Sequence, residues 1–283
     1  MSAELAVEER AVPRPAWPAP RPRRWRPGDV LLWGYAALGL VYLFLPIGVM
    51  VLFSFNRPRG RFNFVWQEFS LDAWAHPLAV PALADAMVLS LKVAAIATTA
   101  ATVFGTLIAL ALIRYRFRGG GAVNVLLLLP LTTPEVVMGS SLLTLFLTWG
   151  IPTGFLTIVI AHIMFSISYV VLTVKARLRG FDWTLEEAAM DLGANEWRTF
   201  RKVTLPLIYP GILAAGLLSF ALSLDDFIIT LFNAGPEVTF PLYVWGSARV
   251  AVPPQINVIG TTILVLTVVL IGLSLVVQRR RYR

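Results

Sequence analysis

Few residues of this chain have types and spacings that could carry out covalent chemistry. The sequence contains no Cys and only two His residues, His76 and His162, which leaves no thiolate nucleophile and too few imidazoles for a histidine metal centre. It has neither the H-E-x-x-H pattern of zinc hydrolases nor the G-x-x-x-x-G-K-[ST] loop that holds nucleotide phosphates. The sequence therefore predicts a protein that is not an enzyme, with no metal site and no cofactor of its own.

Three acids that fall within or beside strongly apolar stretches are the other chemically notable residues. Glu135 follows Pro134, where a proline can interrupt a helix, and Asp225 is followed directly by Asp226. A charge at the centre of a bilayer costs roughly 2.5–3.5 kcal/mol on insertion scales, so such residues usually face a polar cavity or a partner. We expect them either to line a pathway for a cation or to form structural pairs, for which Lys92 is a candidate.

Asp226 is the acid that we favour for such a pathway. Ser223 would lie one helical turn before it, on the same helix face, whereas Asp225 would point about 100° away. Aromatic rings can hold ammonium groups and methylenes together, and Tyr169 and Phe227 are the candidates for this role. A structural ion pair or an interfacial carboxylate remains the alternative for each acid.

The composition indicates the elements that position these residues. Of the 283 residues, 57% are hydrophobic and 14% are charged, whereas soluble domains have about 25% charged residues. Stretches of about 20 apolar residues are long enough to cross a membrane as helices. We predict an all-α integral membrane protein with six transmembrane helices at about 30–55, 87–113, 123–149, 155–174, 208–232 and 257–277.

Basic residues give the orientation of these spans. With six spans, 19 of the 24 Lys and Arg residues lie on one side of the membrane, in the tail, in the loops after spans two and four, and at the C-terminus. Because such residues are enriched in cytoplasmic loops, both termini are predicted to be cytoplasmic. The domain prediction is a disordered Pro/Arg-rich tail over 1–29, a transmembrane domain over 30–278 and a basic cytoplasmic C-terminus over 279–283.

Small residues recur every four positions on two of the spans. The second span carries one such stripe and the fifth carries another, and both allow close helix packing in lipid, within this chain or against a partner. The members are Ala97, Ala101, Gly105 and Ala109, then Gly211, Ala215, Ser219 and Ser223.

The charged stretch 185–206 lies on the predicted cytoplasmic side, between the fourth and fifth spans. Thr184 and Glu187 have the spacing of a capping box, which predicts that a short helix starts near Leu185. Gly193 would end that helix, a second short helix would cover 196–202, and Pro206 would mark the start of the fifth span. A helix–Gly–helix segment with apolar side chains suits a groove on another protein or the lipid headgroup surface.

The spacing within this stretch resembles a known signature. Residues Glu187-Ala188-Ala189, then Gly193 and Leu205-Pro206, match the "EAA" motif of permease subunits of ATP-binding-cassette (ABC) importers, with Val203 where that family has Ile. The stretches "LLPLTTPEVVMGSSLL" and "SLDDFIITLFNAG" are similar to the second permease subunit of spermidine/putrescine importers.

That resemblance implies the type I importer permease fold and a multi-pass location in the bacterial cytoplasmic membrane. It implies a homologous permease subunit, an ATPase dimer that binds ATP and Mg, and an extracytoplasmic substrate-binding protein as partners. The motif residues Glu187, Ala188, Ala189, Gly193, Leu205 and Pro206 would then couple the spans to the ATPase. Polyamines are the expected substrate. Another cationic or neutral solute (ferric iron, thiamine or a sugar) and a proton-coupled secondary transporter are the alternatives.

Overall fold

The computed structural model describes residues 27–115 and 117–281, and most of those residues are helical. Residues 1–26 of the predicted tail (1–29), Arg116 and the last two residues lie outside this range. Of the described residues, 27–49 belong to one compact unit and those from Met50 onward belong to a second. The helices described are α1 (Pro27–Phe53), α2 (Asp72–Ala75), α3 (Pro81–Arg114), α4 (Gly120–Thr132), α5 (Glu135–Thr148), α6 (Phe155–Arg179), α7 (Thr184–Asp191), α8 (Glu196–Thr199), α9 (Leu205–Asp225), α10 (Ile228–Asn233), α11 (Phe240–Val250) and α12 (Pro254–Arg281).

The described helices confirm an all-α membrane architecture. Within residues 27–115 and 117–281, four helices are long and apolar enough to cross a membrane, or five if the bent pair α4–α5 is one span. Helix α12 covers the sixth predicted span, but its apolar part in the described side chains is shorter, over Pro254–Val269. The count of six spans and the cytoplasmic location of both termini stay predictions.

The helices α3, α6 and α9 form the centre of the larger unit, and small residues let them approach closely. Ala97, Ala101 and Ala109 on α3 and Ala215 on α9 are fully buried within this chain. A Cβ added at Gly105 would lie 2.6 Å from Cγ1 of a valine on α6. Both small-residue stripes therefore serve packing inside this chain, which was one of the two expected uses.

The third predicted span is wrong as a single helix. Helices α4 and α5 meet at an angle of 108° across Thr133 and Pro134. Thr133 is extended, with ψ of 131°, because the residue before a proline is driven out of the α region. Pro134, with ψ of 133°, then precedes α5 and leaves Glu135 in its first turn.

The fifth predicted span also differs from the structure. Helix α9 ends at Asp225, and Asp226 is extended, with ψ of 123°. The chain restarts as the short helix α10, which packs against α5 and α6. Asp226 accepts a hydrogen bond from the backbone N–H of Thr230 at 2.8 Å, so its carboxylate satisfies one free amide of the new helix.

Candidate functional site

The elbow between α6 and α9, residues 184–206, begins at a different cap from the predicted one. The predicted capping box of Thr184 and Glu187 is absent, and Asp182 provides the cap instead. Its Oδ1 accepts hydrogen bonds from the backbone N–H of Thr184 at 3.1 Å and from its hydroxyl at 2.7 Å. These bonds stabilise the ionised form and lower the pKa of the Asp182 carboxyl.

Gly193 ends the first helix of the elbow, as predicted. Its φ of +86° is in the left-handed region, where a residue with a Cβ is strained. The N–H of Gly193 donates to the carbonyl of Met190 at 2.8 Å, and that of Ala194 donates to the carbonyl of Ala189 at 3.1 Å. These bonds close the end of α7, and Asn195 caps the next helix by accepting from the backbone N–H of Arg198 at 2.8 Å.

The second half of the elbow is not a separate helix. Helix α8 continues through a π-helical turn (Phe200–Thr204) directly into α9, so the helical segment runs without a break from Glu196 to Asp225. Helix α9 begins at Leu205, so Pro206 lies in its first turn, as predicted. The predicted second short helix, 196–202, is however not separate from the fifth span, because the π turn joins the two.

One elbow residue that the sequence analysis missed is buried. Glu186 is only 8% exposed, and its Oε1 accepts a hydrogen bond from Arg114 Nη2 at 2.6 Å. Its Oε2 forms a closer contact with the same guanidinium nitrogen, and the hydroxyl of Thr204 donates to Oε1. Only its adjacency to the motif residue Glu187 could have drawn attention to it.

Several large apolar side chains of the elbow are exposed to solvent. Leu192 is 90% exposed and Trp197 is 68% exposed, and Leu185 and Met190 are also exposed. Large exposed apolar side chains grouped on a charged segment are typical of a surface that binds another protein. Among the predicted coupling residues, Glu187, Ala188, Gly193 and Pro206 are exposed, whereas Ala189 and Leu205 are half-buried.

Inside the bundle, the structure forms a polar cluster around His162 of α6. Its Nδ1 lies 2.7 Å from Ser223 Oγ, and its Nε2 lies 2.9 Å from Thr230 Oγ1 and 3.3 Å from Asp226 Oδ2. The His162 and Asp226 side chains are only 3% and 5% exposed. The prediction that Asp226 lies on the same helix face as Ser223 is wrong, because Asp226 is not helical. Both residues nevertheless contact His162.

Hydrogen-bond donors and acceptors determine how this cluster is arranged. The Thr230 hydroxyl donates to Asp226 Oδ2 at 2.8 Å, so its oxygen is left to accept from the Nε2–H of His162. In the neutral ring, Nδ1 then accepts from the Ser223 hydroxyl. All four side chains are thereby partnered, which is the usual requirement for polar groups buried in an apolar bundle.

Glu135 faces the same side of α6 two turns further along. Its exposed carboxylate is close enough to Tyr169 for the two groups to interact electrostatically. Tyr169 is seven residues after His162, which places them on nearly the same face, about 10 Å apart along the helix axis. Phe165 lies between them and packs edge-on against Tyr169, with ring centroids 5.0 Å apart.

The other predicted pathway residues, Asp225 and Phe227, lie outside the group formed by His162, Tyr169 and Glu135. Asp225 is exposed at the end of α9, and Phe227 packs against Trp245 with ring centroids 5.3 Å apart. Lys92 is exposed on α3 and pairs with no acid in the described part of the chain, so it is not the partner considered for Asp225. The described residues hold no group of three or more His, Asp or Glu side chains that could bind a metal.

Known sequences resemble this chain over most of its length. The family model of "binding-protein-dependent transport system inner membrane component" matches residues 101–282. The spermidine/putrescine transport system permease protein PotC of Escherichia coli (strain K12) is 39% identical over 253 residues, covering 89% of this chain and 95% of that protein. The putrescine transport system permease protein PotI of the same strain is 41% identical over 235 residues, covering 80% and 83%.

Solved structures share the arrangement of helices. A chain from the crystal structure of a bacterial ABC transporter involved in the import of the acidic polysaccharide alginate aligns with a TM-score of 0.63 at 15% identity. The alignment covers 89% of this chain and 99% of that one. At this identity the likeness is informative about the fold alone.

Proposed function

The chain belongs to the family of inner membrane components of binding-protein-dependent transport systems, and on that premise we propose that it is a permease subunit of an ATP-driven polyamine importer. It is a multi-pass protein of the cytoplasmic membrane. In the proposed complex it pairs with a homologous permease, and the two form the translocation pathway. A cytoplasmic ATPase dimer binds ATP and Mg, and an extracytoplasmic binding protein delivers the substrate.

The observation that carries this proposal is the exposed elbow between α6 and α9. Leu192 and Trp197 expose most of their apolar surface to water. Covering that surface would be favourable by about 25 cal/mol for each Å² removed from water. A groove on the ATPase would cover them, and the exposed Glu187 would supply a charged contact beside them. Movement of the ATPase would then reach α9 directly, because α8, the π turn and α9 form one helical segment.

The polyamine assignment rests on the two relatives and on the charge of the bundle. PotC and PotI are named as spermidine/putrescine and putrescine permeases, respectively. The acids Glu135, Asp225 and Asp226 would attract ammonium groups, and Tyr169 and Phe227 would pack against methylenes. An anionic substrate fits these five side chains poorly because three of them repel it.

The test of this function is uptake by the reconstituted complex. Proteoliposomes that contain the chain, its partner permease and the ATPase should accumulate labelled spermidine or putrescine only with ATP and the substrate-loaded binding protein. Uptake that persists without ATP and collapses with an uncoupler would instead identify a proton-coupled transporter. ATP-dependent uptake of thiamine, ferric iron or a sugar in place of polyamines would refute the substrate assignment alone.

The docking role of the elbow has a separate test. Replacing Leu192 by Glu should remove the ATPase from the purified complex, since a charge would be buried in an apolar contact. Val238 is 47% exposed, lies before α11 on the predicted outer side, and provides the matched control. Val238→Glu should retain the ATPase, and a Leu192→Glu complex with normal ATPase content would rule out this contact.

A further inference from the structure

The elbow carries two adjacent glutamates in opposite environments. Glu187 is exposed, as expected for a residue that meets a partner, but the Glu186 side chain is only 11% exposed. Burying a carboxylate costs free energy unless charged or hydrogen-bonding groups compensate for the lost water. A buried acid beside a docking surface therefore has a task inside its own chain.

Glu186 connects three segments that are far apart in sequence. Arg114, which binds both of its oxygens, is the last residue of α3. Thr204, which donates to Oε1 and is fully buried, is the last residue of the π turn before α9. Glu186 itself lies in the first turn of α7, where the helix dipole also favours a negative charge.

The guanidinium of Arg114 has a second partner on the elbow side. It lies over the ring of Trp183, 5.6 Å from the centroid, and Trp183 packs against Phe181 with ring centroids 4.7 Å apart. Both aromatic residues pack against the buried cluster formed by α3, α6 and α9. Arg114 is therefore held on two sides by residues that immediately precede or begin α7.

We propose that the Arg114–Glu186–Thr204 contact is the joint that makes the elbow, the end of α3 and the start of α9 move together, with Glu186 as its positioning residue. This inference rests on the proposed transport function. It assigns the two glutamates different tasks, since Glu187 meets the ATPase and Glu186 transmits the movement into the bundle.

The backbone explains why such a joint is needed. The backbone is left-handed at Gly193, and a π turn precedes α9, so two irregular points lie between α7 and the span that must move. π turns are often functional points in helices and lack the regular hydrogen-bond ladder. The Thr204–Glu186 bond bridges both points, and the Arg114–Glu186 pair extends the connection to α3, which packs against α6 and α9.

The experiment uses the whole reconstituted importer and measures substrate taken up for each ATP hydrolysed. Glu186→Gln and Arg114→Gln should each assemble with the ATPase and hydrolyse ATP, but the uptake-to-hydrolysis ratio should fall about tenfold, within the usual range of coupling between sites. Glu187 variants should instead lose the ATPase. The matched control is Arg118, which is exposed in the loop directly after α3, four residues after Arg114. Arg118→Gln should leave the ratio unchanged.

Three further variants keep the test decisive if Glu186→Gln or Arg114→Gln prevents assembly. The exchanged pair, Arg114→Glu with Glu186→Arg, should regain at least half of the wild-type ratio because it restores an ion pair. Thr204→Val, which preserves shape but removes the hydroxyl, should lower the ratio, whereas Thr204→Ser should retain it. Wild-type ratios in Glu186→Gln and Thr204→Val, or an exchanged pair that assembles without regaining coupling, would overturn the joint.

The failure of the joint is distinguishable from failure of the transport assignment. If the wild-type complex imports no polyamine, the substrate assignment fails whatever the variants do. The joint is then judged by the stimulation of ATP hydrolysis by the substrate-loaded binding protein. Loss of that stimulation in Glu186→Gln supports the joint, and unchanged stimulation overturns it.

Discussion

Replacing Asp226 by Asn tests what the buried cluster does in the bundle. Its Oδ2 is 2.8 Å from both the N–H and the hydroxyl of Thr230 and 3.3 Å from Nε2 of His162. The amide oxygen of Asn can occupy the same place and keep both Thr230 bonds, so the change removes mainly the charge. Hydrogen bonds to charged groups contribute about 1.5–3 kcal/mol, against about 0.5–1.5 kcal/mol for neutral ones.

The expected loss follows from these two bonds. A reduction of about 1–1.5 kcal/mol for each bond predicts that Asp226→Asn lowers the free energy of unfolding by about 2–3 kcal/mol. Asp226→Ala removes the acceptor altogether and leaves both the N–H and the hydroxyl of Thr230 without it in a buried site. Each buried donor left unsatisfied costs about 1–3 kcal/mol, so the two together should cost about 2–6 kcal/mol.

The assay compares the thermal unfolding of the detergent-purified complex with polyamine uptake in proteoliposomes. Asp226→Asn should assemble, unfold at a lower temperature than the wild type and transport more slowly, and Asp226→Ala should be less stable still. Asp225→Asn is the adjacent control; because Asp225 is exposed, the change should alter stability by less than about 0.5 kcal/mol. Unchanged unfolding of both Asp226 variants would refute the cluster argument, and unchanged uptake would remove Asp226 from the pathway.

Two further predictions concern packing and the cap of the elbow. Gly105→Ala should destabilise the complex by about 1–3 kcal/mol, because its Cβ would lie 2.6 Å from Val170 Cγ1, whereas Gly121→Ala, with open space around it, should not. Thermal unfolding checks this, and equal midpoints would contradict the close approach. Because the pKa of Asp182 is lowered from its ordinary value of 3.8, its stabilisation of α7 is present above that pH and is lost as the pH falls through the folded-state pKa. Relative to Asp182→Asn, amide-exchange protection near Thr184 should therefore be higher above pH 3.8 and become equal well below it; a difference that persists at low pH would contradict the cap.

The elbow was the part of the chain that local sequence rules predicted best. A Gly at the end of a short helical pattern predicts a left-handed C-cap, and Gly193 has that conformation. The same rules failed at the start of the elbow, where Asp182 rather than Glu187 contributes the cap. Both residues satisfy simple spacing patterns, so only the backbone course just before Thr184 decides between them.

The contacts that organise the elbow internally were not accessible to sequence reasoning. Arg114 and Glu186 are 72 residues apart. In the sequence, each belongs to a charged segment whose side chains could equally well be hydrated. Their pairing depends on where α3 ends relative to α7, and that is a property of the packed bundle. Thr204 likewise acquires its role only because the chain inserts a π turn before α9.

The breaks in the third and fifth spans had unequal signals. Pro134 gave a local reason for an interruption, and the structure has one there. At Asp226 neither proline nor glycine interrupts the pattern, so an apolar run was extended to residue 232. The break there is maintained by tertiary contacts, since the carboxylate of Asp226 bonds to the start of α10 and lies 3.3 Å from His162 on another helix.

Together these breaks bear on how a polycation would pass through the bundle. Glu135 and Asp226 approach one face of α6 at two levels, near Tyr169 and His162, about 10 Å apart along the axis. An ammonium group can reach Glu135 without disturbing the protein, because that carboxylate is exposed, but it reaches Asp226 only by displacing His162 or Thr230. Breaking those contacts costs free energy and so weakens the binding of an ammonium group at Asp226. Under the proposed function, this cost would keep the intramembrane site weak, which a permease needs in order to release its substrate.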